Sequence, residues 1–304
     1  ALKNSMISLH AINLMYILHA TNIKGIATMS TKDLSKLCLH TMTNKPWTLD
    51  ECLSNYEQAG IGGISVWRNV IEGKDLQQVN RDIKNAGLTP VSLVRGGFFT
   101  GNTKAERLAA IAENKTIIDE AQAIGAPLVV LVCGATPGQT VEQNIQQIRD
   151  GIEALLPHAQ QAGVKLGIEP LHPMYADTRS SISSMRSANE LAEGINSPYC
   201  GVTVDVFHLY WEEHLRNELL RCGKNGNLFS YHICDWKTNP EDMLNDRGLM
   251  GEGIIPVDRI SEWVAEAGFD GFHEVEIFSH KYWKMDQKDY LNKIIESYNT
   301  QIEK

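Results

Sequence analysis

The stretch Ala162-Gly163-Val164-Lys165-Leu166-Gly167-Ile168-Glu169 holds the hinge of a repeating unit. The run before it, Gln143–Ala162, reads as an amphipathic helix. Gly163 stands where a left-handed residue lets a chain leave a helix. Val164, Leu166 and Ile168 then recur at every second position, the period of a strand, and Glu169 ends the opposite face.

Outward from this stretch the same unit repeats. Apolar runs at Lys36–Met42, Gly62–Trp67, Pro90–Arg95, Pro127–Val132, Val164–Glu169, Gly201–Asp205, Phe229–Cys234 and Gly271–Phe278 read as strands. Leu49–Ala59, Asp75–Ala86, Lys104–Ile124 and Gln143–Ala162 read as helices. Ala59-Gly60, Ala86-Gly87 and Ile124-Gly125 repeat the helix exit of Ala162-Gly163. Strand and helix in alternation imply a parallel sheet. Eight units without a linker, in a chain of 304 residues, predict an α/β fold of the (β/α)8 TIM barrel type in a single domain spanning 29–304. An open, doubly wound sheet normally carries a glycine-rich phosphate loop after its first strand. Here that position reads Leu39-His40-Thr41-Met42-Thr43, without glycine.

Composition narrows the partners. A formal net charge of -9 and dispersed Lys and Arg argue against a nucleic-acid surface. The apolar segment Ile7 to Tyr16 is interrupted by His10 and Asn13 and is too short to span a bilayer, so no membrane partner is expected. Residues 1–28 are read as an N-terminal extension of unknown role, and the cytoplasm is the default location. The six cysteines lack CxxC spacing and read as reduced core or loop thiols.

Chemistry gathers at the ends of the later strands. Glu169 closes Val164–Glu169, and Asp205 ends Gly201-Val202-Thr203-Val204-Asp205 opposite Val202 and Val204. His232 alternates with Tyr231 and Ile233, and Glu276 follows Glu274 on one face of His273-Glu274-Val275-Glu276-Ile277. Singly, each has a bland explanation as a capping, surface or core residue. Together they put three carboxylates and an imidazole at one barrel mouth. Such a group desolvates and repels itself unless a cation sits within it. The oxygen-rich set with open positions suits Mn²⁺ best, then Mg²⁺ or Co²⁺, with Zn²⁺ also compatible.

These motifs resemble the xylose isomerase-like barrel superfamily of sugar phosphate isomerases and epimerases, which also holds inosose dehydratases and endonuclease IV-type (AP endonuclease family 2) enzymes. The resemblance runs from Leu37 to Tyr290. It is carried by Gly167-Ile168-Glu169-Pro170-Leu171-His172-Pro173, Val204-Asp205-Val206-Phe207-His208, Tyr231-His232-Ile233-Cys234-Asp235-Trp236, Arg247-Gly248-Leu249-Met250-Gly251-Glu252-Gly253 and Glu274-Val275-Glu276-Ile277-Phe278. Asn44-Lys45-Pro46-Trp47 and Val94-Arg95-Gly96-Gly97 look like one branch of it. The resemblance implies that Glu169, Asp205, His232 and Glu276 ligate the metal and that Glu169 and Glu276 face each other across the substrate. It also implies His208 near the substrate and Arg247 on a substrate oxygen. The further His and Glu ligands of the endonucleases' trinuclear zinc cluster are not found here.

The expected function is therefore a metal-dependent isomerase or epimerase of a sugar, acting by proton abstraction next to a carbonyl through a stabilised enediolate. The alternative is a hydro-lyase acting on an inosose or a 3-keto-sugar, with His208 or His172 protonating the leaving oxygen. A non-catalytic sugar-binding barrel and a nucleic-acid repair enzyme are the remaining classes. His172 stands between catalysis and bracing its loop, and His40 between the mouth, the core and solvent. Arg95 stands between an anionic or hydroxyl ligand and an internal salt bridge. Trp47, Trp67 and Trp236 stand between a sugar-facing wall and packing, with Trp236 taken as substrate-binding. Glu252 is read as a loop residue. Without a phosphate loop the substrate is expected to be unphosphorylated. Dimers and tetramers are common in the resembled family, so a homo-oligomer is compatible with it.

Overall fold

The computed structural model describes residues 33–302; the extension assigned to 1–28 lies outside them. From Leu34 onward the chain forms one compact unit. Its parallel strands are β1 (Leu37–His40), β2 (Gly63–Trp67), β3 (Thr89–Gly97), β4 (Leu128–Val132), β5 (Lys165–Ile168), β6 (Cys200–Asp205), β7 (Leu228–Ile233) and β8 (His273–Val275). Each pairs with its neighbours in sequence, and β8 closes on β1. The closed barrel that the alternation predicts is therefore present.

Helix boundaries follow local chemistry. Thr48 and Glu51 form a capping box ahead of Leu49–Ala59, and Gly60, at φ 75°, ends it. Thr103 with Glu106 and Thr140 with Gln143 do the same for Lys104–Ile124 and Val141–Ala162. Gly125 and Gly163 terminate those two helices in the left-handed conformation.

Two strands are shorter than the apolar runs suggest. β1 stops at His40 because Thr43 N–H turns back onto the His40 carbonyl at 2.9 Å. β8 stops at Val275 because Thr43 intervenes: its hydroxyl donates to the Val275 carbonyl and accepts from Ile277 N–H, both at 3.0 Å. Glu276 consequently lies just beyond the regular ladder.

Strand alternation separates two interiors. Leu166, Ile168, Val202, Val204, Tyr231 and Ile233 belong to the large apolar core. Val94, Leu128 and Val130 form a separate small cluster with Trp67 and Phe229 packed on it. A polar set, His40, Ser65, Ser92, Thr203, Ser230, His232 and Glu274, is almost wholly shut from solvent. Register aligns it: Glu274 pairs with His232, His232 with Asp205, and His40 with Ser65. All six cysteines are buried free thiols, as the spacing suggested. Among the described residues no helix is long and apolar enough to cross a membrane.

Candidate metal centre

Four strand ends converge. Glu169 follows β5, Asp205 ends β6, His232 lies in β7 and Glu276 follows β8. Each offers a donor atom within 4.8 Å of the others. Ligands at about 2.0–2.2 Å from one ion lie up to roughly 4.4 Å apart, so the spread suits a shared cation. His232 Nδ1 is 3.2 Å from Glu169 Oε1, and neither atom has a hydrogen-bond partner although both are shut from solvent. Buried polar atoms are nearly always satisfied, so this pair points to a group that is not protein.

Charge gives the same answer. Glu169, Asp205, Glu274 and Glu276 are all buried, and among the described residues Arg247 is the one permanently charged cation paired with them. Its Nη1 reaches Asp205 Oδ2 and Glu276 Oε2, both at 2.9 Å, and its Nη2 lies 3.3 Å from His208 Nε2. One guanidinium does not neutralise four buried carboxylates. A divalent cation, or protonated histidines in its place, supplies the difference.

The groups respond unequally to burial. Burial and the neighbouring Glu276 push Glu169 up, against the pull of His232. Burial raises Glu276 too, but His40 and Arg247 override it and hold that carboxyl well below the usual range. Burial would lower His232, yet Glu274 and the Glu169 contact carry it up to about 10. Glu274, despite burial, is drawn down to about 2 by His232, His40 and Ser230. Burial and then Arg247 push His208 well below an ordinary imidazole.

Beneath the four donors lies a support whose role the sequence reading did not assign. Glu274 Oε2 stands 3.4 Å from His40 Nε2 and 3.7 Å from His232 Nε2, and it accepts from Ser65 at 2.5 Å. Ser92 and Ser230 hydroxyls also donate to it. A carboxylate behind an imidazole fixes the ring and makes its far nitrogen a better ligand. The alternation Glu274-x-Glu276 was the signal available for it.

Above the donors is a cavity of about 220 Å³. Glu169, Glu276, His208, Arg247 and Arg95 line it, whereas Asp205 and His232 are closed off below. Trp67, Tyr175, Phe278 and Trp283 supply its aromatic walls, and Lys45 and Arg179 join Arg95. Of these, Tyr175, Arg179, Phe278 and Trp283 were not singled out from the sequence. Arg179 and Phe278 sit in loops, and Tyr175 and Trp283 end helical segments of three and four residues, too short for any periodicity to mark them.

Three residues considered for substrate contact, His40, His172 and Trp236, lie outside the cavity lining. His40 is fully buried and does not line the cavity; its Nδ1 sits 3.2 Å from both Glu276 Oε1 and Trp67 Nε1. His172 also stands off the cavity, where its Nδ1 accepts from Met174 N–H and its ring packs against Trp236 at 5.2 Å. Trp236 stacks on Phe207 at 4.6 Å and is likewise not part of the lining. Glu252, read as a loop residue, binds Lys281, Tyr282 and Leu249 N–H.

Arg247 is delivered by a short antiparallel ladder that pairs Trp236 with Arg247 and Asp235 with Gly248. Asp235 accepts from the backbone N–H groups of Trp236, Gly251, Gly253 and Ile255 at 2.8–3.0 Å. Gly253 is obligatory, because a Cβ there would lie 2.0 Å from the Trp236 carbonyl oxygen.

Comparison with known proteins agrees with this architecture. A protein of Sinorhizobium meliloti 1021 with a crystal structure is 36% identical, covering 88% of this chain and 98% of its own, with a TM-score of 0.85. The inosose isomerase of Halalkalibacterium halodurans is 23% identical over 264 residues, 84% of this chain and 92% of that protein. The structure of an IOLI protein with a bound zinc atom is 22% identical, covers 88% of this chain and 98% of its own, and has a TM-score of 0.78. Residues 53–300 match the family model described as xylose isomerase-like TIM barrel. The chain belongs to the xylose isomerase-like TIM barrel family.

Proposed function

We propose that this chain is a divalent-metal-dependent isomerase or epimerase that moves a proton next to the carbonyl of a keto-sugar. The observation that carries the reading is the division of the donor cluster: Glu169 and Glu276 line the cavity, whereas Asp205 and His232 lie closed beneath it. Two of the four donors thus face a substrate and two do not. When bound, the divalent cation, Mn²⁺ by preference for this donor set, supplies Lewis acidity toward adjacent hydroxyl and carbonyl oxygens.

The protein's own groups divide the proton transfer. Glu276 is held ionised by His40 and Arg247, which suits a base. Burial pushes the Glu169 carboxyl upward in the ion-free protein, so of the two it is the one assigned to return the proton. For epimerisation, one removes the proton from one face of the reacting carbon and the other returns it to the opposite face. Arg247 and His208 are positioned to bind substrate oxygens, since both line the cavity. Trp67, Tyr175, Phe278 and Trp283 offer apolar surface to the sugar carbons and exclude water.

The hydro-lyase reading needs an acid for the departing hydroxyl. Burial and Arg247 hold His208 well below an ordinary imidazole and His172 does not line the cavity, so that acid would have to be Glu169, which the isomerase reading already engages. The inosose isomerases among the relatives also support the isomerase class.

The deciding experiment incubates metal-reconstituted protein with a panel of ketoses and keto-glycosides in D₂O. The expected product has unchanged skeletal mass and deuterium at the carbon next to the carbonyl, and Glu276→Gln abolishes exchange while keeping a wild-type melting curve. A product lighter by one water would instead establish the hydro-lyase. Absence of exchange with every substrate, from protein carrying stoichiometric metal, would refute both.

A further inference from the structure

The cavity carries cations that form no ion pair among the described residues. Lys45, Arg95 and Arg179 all line it, and none has a carboxylate within ion-pair distance among the described residues. Elsewhere Arg68, Arg186, Arg216 and Arg221 each bind one or more carboxylates. A chain of formal net charge -9 has carboxylates to spare, so their absence from this wall is informative.

Aromatic rings hold the three cations instead. Arg95 Cζ lies 4.6 Å from the Phe98 ring centroid, Arg179 Cζ 5.5 Å from that of Tyr175, and Lys45 Nζ 4.5 Å from that of Trp283. A ring face orients a cation while leaving its N–H donors and full charge available. Arg95 Nη1 is shut from solvent without a hydrogen-bond partner. Burial, and then Arg179, weaken the hold of Arg95 on its proton, so the two guanidiniums are close enough to repel. Glu169 and Glu276 act in the opposite sense on Arg95, but they belong to the donor cluster on the cavity floor.

From this we infer that the cavity wall bearing Arg95 and Arg179 is an anion subsite, and that the substrate is a small ketose carrying a carboxylate or a phosphate away from its reacting carbonyl. The inference deepens the proposed function and rests on it for the word ketose. A neutral hydroxyl would leave two half-exposed, repelling guanidiniums on one cavity wall without a counter-charge, one of them with a buried and unpartnered Nη1. An anionic oxygen pair matches the planar fork of each and removes the repulsion. Lys45, more exposed, adds a charge at the rim. The volume of about 220 Å³ suits a monosaccharide-sized acid rather than a larger conjugate. The absence of a glycine-rich phosphate loop does not count against it, because arginine side chains take the place of backbone amides.

The test is calorimetric binding to the full chain, not turnover. The probes are D-fructose, 5-keto-D-gluconate, D-fructose 6-phosphate and inorganic phosphate. The proteins are wild type, Arg95→Gln, Arg179→Gln, the double variant, and Arg95→Lys as the charge-keeping control, each checked by its melting curve. The expected result is that one anionic ketose binds wild type at least about tenfold more tightly than fructose, the scale of a charge-assisted contact. That advantage over fructose disappears in the Gln variants and survives partly in Arg95→Lys. Whichever of the two anionic ketoses gains identifies carboxylate or phosphate. Equal affinity for fructose and both anionic ketoses, or an advantage persisting in the double variant, overturns the subsite and leaves the isomerase reading standing. Arginine-dependent binding of phosphate without binding of any ketose overturns the ketose reading and keeps the subsite. If wild type binds none of the probes, both are refuted.

Discussion

His40 Nδ1 stands 3.2 Å from Glu276 Oε1, behind the residues that line the cavity. The ring is also gripped from behind by Glu274, 3.4 Å from Nε2, and the Trp67 indole nitrogen lies 3.2 Å from Nδ1. His40 is therefore a positioning residue for the carboxylate proposed as base. The relationship also explains why Glu276 stays ionised in a place that burial would otherwise make neutral.

Replacing His40 by Asn should leave the fold intact and lower kcat by about 10–100-fold, the usual effect of removing a group that orients a metal-site residue. KM should change little, since His40 does not touch the cavity. The acidic limb of the pH–rate profile should move upward, because Glu276 loses the interaction holding its carboxyl down. A profile identical to wild type would mean that His40 is only filling space.

Glu274→Gln tests the layer beneath. The variant keeps the shape but removes the charge shared by His40 and His232, and Ser65, Ser92 and Ser230 must find a weaker acceptor. Metal affinity should fall by about 10–100-fold. Stability of the metal-free protein should drop by about 3–5 kcal/mol, as when one partner of a buried charge group is removed. Competition against a fluorescent chelator reads the first quantity and urea unfolding the second. Unchanged metal affinity would detach Glu274 from the centre.

Metal loading should be coupled to protons. In the ion-free protein His232 is raised to about 10 by Glu274 and Glu169 against burial, above an unfolded value of about 6.5. A raised imidazole contributes stability that is complete below pH ~6.5 and is lost as pH rises through about 10. A cation requires the neutral ring, so it must displace that proton, and its apparent affinity should climb across the same window. Calorimetry of Mn²⁺ binding at pH 7.5, in buffers of different ionisation enthalpy, should count about one proton or more released. No release between pH 6.5 and 9 would remove His232 from the ligand set.

The parts of this molecule legible in the sequence are those that obey a period. The eight strands and the helix exits at Gly60, Gly125 and Gly163 follow alternation and caps, and so does the convergence of Glu169, Asp205, His232 and Glu276. What escaped depends on contacts between distant segments. Thr43 decides where β8 ends, from 232 residues away in sequence. His40, read as open between mouth and core, goes to the core because Glu274 and Glu276 rise on the adjacent strand. Arg179 reaches the cavity from a loop tied to Gly134, whose N–H donates to the Arg179 carbonyl. No local pattern announces such a bond.

Asp235 marks the last of these long-range arrangements. Its side chain is buried and accepts four backbone N–H groups from Trp236, Gly251, Gly253 and Ile255. Asn at this position presents N–H where acceptors are needed, so at least one backbone donor is left without a partner. Each lost hydrogen bond to a charged acceptor is worth about 1.5–3 kcal/mol, so Asp235→Asn should destabilise the protein by about 2–3 kcal/mol. The effect should also reach the centre, because the segment that Asp235 holds pairs Trp236 with Arg247, and Arg247 bridges Asp205 and Glu276. Hydrogen exchange should therefore quicken at Gly251, Gly253 and Ile255, and KM should rise more than kcat falls, since Arg247 is displaced while Glu169 and Glu276 remain. Faster exchange with unaltered KM would show that the turn and the arginine are independent.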